Sequence, residues 1–215
     1  MNEILFLIQI LIIIGFALGA LKLGKGALIA WVAMQALIAN LFVLKQITLL
    51  GFNVTASDAY VIGSLLGLNF LQEYFGKEEA QKATWVCFFF MAFFVIISQV
   101  HLLYRPSLYD STQEAFVTIL TQTPRLLISS LSVFWIVQQF DIRFFGFLKR
   151  IFPQIHFSLR SACSLILSQL LDTILFSFAG LYGIAVSMMD IILISFAVKL
   201  LVIFCFTPLI RWVRT

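Results

Sequence analysis

The chain has 215 residues, 62% of them hydrophobic and 11% charged, with a formal net charge of +4 and a mean hydropathy of +1.06. Soluble domains average about 45–50% apolar and about 25% charged residues, so this chain has too little charge to cover a water-soluble globule. The composition specifies an all-α polytopic membrane protein. The small positive charge needs no nucleic-acid partner, because Lys and Arg at helix ends meet anionic headgroups.

Crossing the hydrocarbon core takes about 20 residues, and seven apolar segments of that order follow one another. The first, residues 4–21, has no basic residue ahead of it and carries Glu3, so it reads as a retained helix rather than a cleaved leader. The second, 26–50, contains Gln35, Asn40 and Lys45. The third, 58–75, is interrupted by Gly63, Gly67, Asn69, Gln72 and Glu73, and begins at Asp58, an acid that suits a helix N-terminus. The fourth is 83–104. The fifth, 116–140, places Thr118, Gln122, Arg125, Ser129 and Ser132 three or four residues apart, a polar stripe on one helical face with Arg125 near mid-depth. The sixth, 160–180, repeats that pattern with Ser161, Ser164, Ser168 and Asp172. The seventh, 187–210, starts near Asp190 and carries Lys199 one turn after Ser195. Gly15 with Gly19, and Gly63 with Gly67, have the spacing of small-residue packing faces.

With seven crossings, Lys22, Lys25, Lys77, Lys82, Arg143, Lys149, Arg150, Arg160, Arg211 and Arg214 fall on one side and Arg105 alone on the other. Cytoplasmic loops carry the excess of Lys and Arg, which predicts an outside N-terminus and a cytoplasmic C-terminus.

A charge at bilayer depth costs at least about 2.5–3.5 kcal/mol on insertion scales and marks a candidate site. Arg125, Asp172 and Lys199 are too deep to reach the interface and form either a polar pathway or a structural ion pair. Lys45 and Glu73 are near enough to span ends to snorkel. Asn40 and Asn69 fit either solute contact or interhelical hydrogen bonding. Facing inward together, these residues would line one cavity holding both signs of charge, in which Asp172 and Glu73 could meet. His101 and His156 are not placed deep and no H-E-x-x-H occurs, while Cys87, Cys163 and Cys205 all fall in apolar runs, so no metal, cofactor or disulfide framework is implied. A paired-carboxylate or serine hydrolase lacks a recognisable motif and a base. Passage of a solute is the better account.

The stretch Asn40-Leu-Phe-Val-Leu-Lys45, then Gly51-Phe52, then Asn69-Phe-Leu-Gln-Glu73-Tyr74-Phe75-Gly76 with Lys77 and Lys82 following, resembles the signature of the queuosine precursor transporter family, also labelled putative vitamin uptake transporters. Arg160-Ser161, Ser168-Gln169-Leu-Leu-Asp172-Thr173, Phe176, Gly180, Lys199 and Thr207-Pro208 continue the resemblance over about residues 26–212. Members often have Asp where this chain has Asn69, and commonly a six-helix core, which makes Ile4–Leu21 an additional N-terminal helix on one transmembrane domain.

The resemblance implies inner-membrane import of a queuosine precursor: queuine, or the cyano- or aminomethyl-substituted 7-deazaguanine base. The candidate substrate contacts are Asn40, Lys45, Asn69, Glu73, Gln169, Asp172 and Lys199, which lie in the motifs of the resemblance, and Arg125, which is a candidate for its depth alone. A carboxylate such as Asp172 can accept from the adjacent N1–H and amine of a deazaguanine. The vitamin label and the small size leave a second arrangement open, a substrate-binding subunit working with an ATP-driven energising module. A homodimer and a non-transporting scaffold are also left open.

Overall fold

The computed structural model describes residues 1–42, 45–49, 51–55, 57–121, 124–181 and 188–210, without the side chains at 46, 52–55, 124–127, 181, 188–191 and 205–210. The described elements are α1 (Asn2–Leu23), α2 (Lys25–Phe42), β1 (Gln46–Leu49), β2 (Phe52–Thr55), α3 (Asp58–Tyr74), α4 (Lys77–Leu102), α5 (Gln113–Leu120), α6 (Pro124–Ile151), α7 (Phe157–Leu181) and α8 (Met188–Ile210). Among the described residues, five helices are long and apolar enough to cross a membrane: α1, α2, α4, Ile128–Ile151 of α6 and Phe157–Gly180 of α7. Their outer faces expose large apolar side chains such as Leu11, Phe16, Phe89, Phe93 and Phe178. Water would penalise such a surface and lipid would not.

Two expected spans are recut. The second, expected to reach residue 50, ends as a helix at Phe42. Gln46–Leu49 then pairs antiparallel with Phe52–Thr55, Leu49 opposite Phe52, and Gly51 in the turn adopts φ 87, open to glycine at no steric cost. The described residues are thus helical apart from a β-hairpin, and the hairpin turns back onto the bundle: Asn2 Nδ2 donates to Thr48 O at 2.9 Å. The expected 116–140 span is two helices. Pro124 cannot donate a backbone N–H and suits the first turn, so it begins α6 instead of lying inside a longer helix.

α3 is the hub. It packs on α1, α2, α4, α6, α7 and α8, and Asp58, Ala59 and every residue from Ile62 to Gln72 are buried. At 1.5 Å per residue its 17 residues span about 26 Å, just short of a hydrocarbon core. Two glycines permit the close approach. A Cβ at Gly63 would stand 2.8 Å from Ile13 Cγ2 of α1 and 2.9 Å from Gln35 Oε1 of α2, and one at Gly67 would stand 2.9 Å from Val32 Cγ2. The Gly63/Gly67 face therefore packs as its spacing suggests, whereas Gly15 and Gly19 have nothing within 4 Å.

One end of the bundle is tied together by charge. Lys25 at the start of α2 reaches Glu79 at the start of α4 at 2.9 Å. Glu73, at the end of α3, takes Arg160 of α7 at 2.7 Å and Lys149 of α6 at 3.2 Å.

Candidate functional site

The polar seam runs along α7. Between Arg160 and Thr173, the residues Arg160, Ser161, Ser164, Ser168, Gln169 and Thr173 are buried, and Asp172 is largely so. Spacings of three and four put Ser161, Ser164, Ser168 and Asp172 on one stripe, and that stripe faces α3, α6 and α8 rather than lipid.

At one level of the seam, Lys199 of α8 lies between two acids. Its Nζ donates to Asp172 Oδ2 at 2.5 Å and to Thr173 Oγ1 at 3.1 Å, and it lies 3.8 Å from Asp58 Oδ1. Lys199 is 4% exposed, so it is paired where an unpaired ammonium would be very costly. With all three ionised the group carries one excess negative charge. One turn away on α7, Gln169 is fully buried, and neither its Oε1 nor its Nε2 has a hydrogen-bond partner among the described residues. A buried amide without partners costs about 1–3 kcal/mol for each unmet group. Gln169, Asp172, Thr173, Lys199 and Asp58 therefore form a centre offering donors, acceptors and charge together.

A second group closes the charged end of the seam. Arg160 Nη2 donates to Glu73 Oε1 at 2.7 Å, and Lys149 Nζ donates to Glu73 O at 2.9 Å. Asn69, one turn back on α3, donates from Nδ2 to Ser161 Oγ at 3.0 Å, while its buried Oδ1 has no partner among the described residues. Glu73 and Asp172 do not meet. Asp172 lies 12 positions beyond Arg160 along α7, roughly 18 Å of helix, and each acid has its own cations. The acid that shares a cation with Asp172 is Asp58, through Lys199.

Between these groups, Asp141 of α6 is fully buried and accepts from Ser164 Oγ at 2.6 Å and Ser168 Oγ at 2.7 Å.

The other expected site residues fall elsewhere. Asn40 accepts from Ser130 Oγ at 2.7 Å and donates to Ala36 O at 3.0 Å. It lines a mainly apolar cleft between α2, α4, α5 and α6, beside Ser98 and Gln99. Lys45 lies between α2 and β1 and is exposed, so it is not inside a span. Arg125 is the second residue of α6, at a helix end rather than within a long fifth helix, and its side chain lies outside the described residues, as do Gln122 and the side chain of Asp190. The expected fifth stripe dissolves at the α5/α6 break: Thr118 bonds back to Glu114 O, and Ser129 donates to Ala179 O of α7.

Three residues of the seam have roles their sequence did not mark. Asp58 reads as a helix cap but faces Lys199. Arg160 reads as a loop cation but is buried on Glu73. Asp141 falls just past the expected end of the fifth span. The signal that finds it is the Ser164/Ser168 pair, which needs a buried acceptor opposite.

The family model described as "Putative vitamin uptake transporter" matches residues 55–213. A "Probable queuosine precursor transporter" of Bacillus subtilis (strain 168) is 33% identical over 185 residues, covering 83% of this chain and 81% of that protein. No solved structure matches the chain. The family-model match contains the whole seam, from Asp58 to Lys199, and the chain's apolar helices are those of a multi-pass membrane protein. The chain belongs to the queuosine precursor transporter family, whose model carries the vitamin-uptake description.

Proposed function

We propose that this protein imports a 7-deazaguanine queuosine precursor across the cytoplasmic membrane by secondary transport, for salvage into tRNA, and that it is not an enzyme. The observation that carries the reading is the buried centre of Gln169, Asp172, Thr173 and Lys199. A 7-deazaguanine edge presents an N1–H and an amine beside a carbonyl oxygen. Asp172 accepts the two donors, Lys199 donates to the carbonyl, and Gln169 supplies one donor and one acceptor to the rest of the ring. With the site empty, Lys199 neutralises Asp172. Substrate binding exchanges part of that ion pair for hydrogen bonds to the base, so the acid is never left unpaired. Asn69 and Glu73 line the route on the Arg160 side of this centre.

Seven crossings with the N-terminus outside complete the reading. They put the Lys25–Glu79 and Glu73–Arg160–Lys149 end in the cytoplasm, where basic residues belong. The vitamin-uptake description of the family model supports a second reading, a substrate-binding subunit energised by a separate ATP-driven module.

The test is uptake of labelled precursor by cells that cannot make queuosine. Expression of this chain restores saturable uptake, and Asp172→Asn and Gln169→Leu abolish it. Full uptake with either substitution would overturn the assignment of the centre.

A further inference from the structure

Among the described residues, the buried acids of the seam differ in one respect. Asp172 and Asp58 have Lys199, and Glu73 has Arg160 and Lys149. Asp141 has no cation. It is fully buried, its Oδ1 is held by Ser164 and Ser168, and its Oδ2 has no hydrogen-bond partner among the described residues. The groups facing it from each packed helix are few. α7 presents Ser164 and Ser168; the titratable groups that α3 and α4 bring to α6 are engaged with other residues, Glu73 with Lys149 and Arg160 and the Cys87 thiol with Gln138 Nε2 at 3.8 Å. Asp172, one turn past Ser168, is engaged with Lys199.

An acid in this setting needs a positive charge that no described side chain supplies, because an isolated buried carboxylate is far too costly. Asp141 lies near the middle of Ile128–Ile151, between the Glu73 group and the Asp172 group on the same seam. Acids at that depth serve as proton carriers in pumps and transporters. A hard metal cation takes about six or more oxygens, and one carboxylate with two hydroxyls falls short of that. A proton needs one acceptor, and Oδ2 provides it. We propose that Asp141, oriented by Ser164 and Ser168, is the proton-binding residue that couples this transporter to the proton gradient. The proton enters on Oδ2 from the outer face with the substrate and leaves to the cytoplasm, so the carboxyl is neutral while it is carried. This rests on the transport reading, but the site itself has a readout that does not.

That readout is infrared difference spectroscopy of the purified protein titrated with pH, following the carbonyl stretch of a protonated carboxyl. The wild type shows this band, Asp141→Asn lacks it, and Ser164→Ala shifts it by removing one hydroxyl donor, which shows that the site persists in a folded variant. In liposomes an acid-outside gradient drives the wild type to concentrate labelled precursor, and Asp141→Asn exchanges precursor across the membrane without concentrating it. A band unchanged in Asp141→Asn, concentration by that variant, loss of its exchange as well, or accumulation driven by sodium alone overturns the assignment. A wild type that shows the band but exchanges no deazaguanine refutes the substrate reading and leaves the proton site standing.

Discussion

Lys199→Ala removes the one described cation from two acids. In a uniform medium the Coulomb attraction scales as the inverse of distance, so the 2.5 Å contact with Asp172 is about one and a half times as strong as the 3.8 Å contact with Asp58. Removing one partner of a buried pair costs about 3–5 kcal/mol because the remaining charge is left uncompensated. At about 2–4 °C per kcal/mol for a chain of this size, the unfolding temperature should fall by about 6–20 °C. The coupling energy of Lys199 with Asp172, measured with Asp172→Asn, should exceed that with Asp58, measured with Asp58→Asn, because the first pair is closer. The assay is thermal unfolding of the purified protein in detergent, with the three single and two double variants forming two double-mutant cycles with the wild type. A fall of less than about 1 kcal/mol for Lys199→Ala would refute the reasoning, since it would mean that water already solvates all three groups. Equal coupling energies in the two cycles would refute the distance argument.

Three further outcomes follow from the packing. Gly63→Ala and Gly67→Ala should each cost about 1–3 kcal/mol by forcing α3 away from α1 and α2, and Gly15→Ala and Gly19→Ala should be neutral or gain about 0.5–1 kcal/mol, since their Cβ atoms meet nothing; chemical denaturation ranks them, and equal costs would contradict the packing. Arg160→Ala should destabilise far more than Lys149→Ala, because Arg160 is buried on Glu73 while the Lys149 side chain is 40% exposed; unfolding temperatures decide it, and the reverse order would count against the ion-pair geometry. In a variant without native cysteines, a membrane-impermeant maleimide added outside intact cells should label Ser107→Cys and not Gln154→Cys; the opposite pattern would invert the proposed orientation.

The helices were legible to the extent that hydropathy decides them. Residues 4–21, 83–104 and 160–180 are each close to a described helix, since each is a long apolar run bounded by Gly, Pro or charge. Hydropathy failed where local chemistry competes with it. Gln46–Leu49 and Phe52–Thr55 are as apolar as a helix end, and a turn glycine makes them a hairpin. Pro124 divides an apolar run that no window separates. That second error displaced the site: moving the fifth helix toward residue 151 takes Arg125 to a helix end and brings Asp141 into a span. The α7 stripe was visible from spacing alone, but spacing gives a face and not the neighbour across from it. Only the packing of α3, α6 and α8 around α7 separates Glu73 from Asp172 and pairs Asp58 with Lys199.

The central claim is that Asp172 and its neighbours carry a 7-deazaguanine through the bundle. The direct measurement is counterflow of labelled 7-aminomethyl-7-deazaguanine into liposomes containing only this protein and preloaded with unlabelled base. Wild-type protein should give transient, saturable accumulation that guanine competes with weakly, and Asp172→Asn should abolish it while the protein stays folded. Absence of counterflow in the wild type, or undiminished counterflow in Asp172→Asn, would contradict the account.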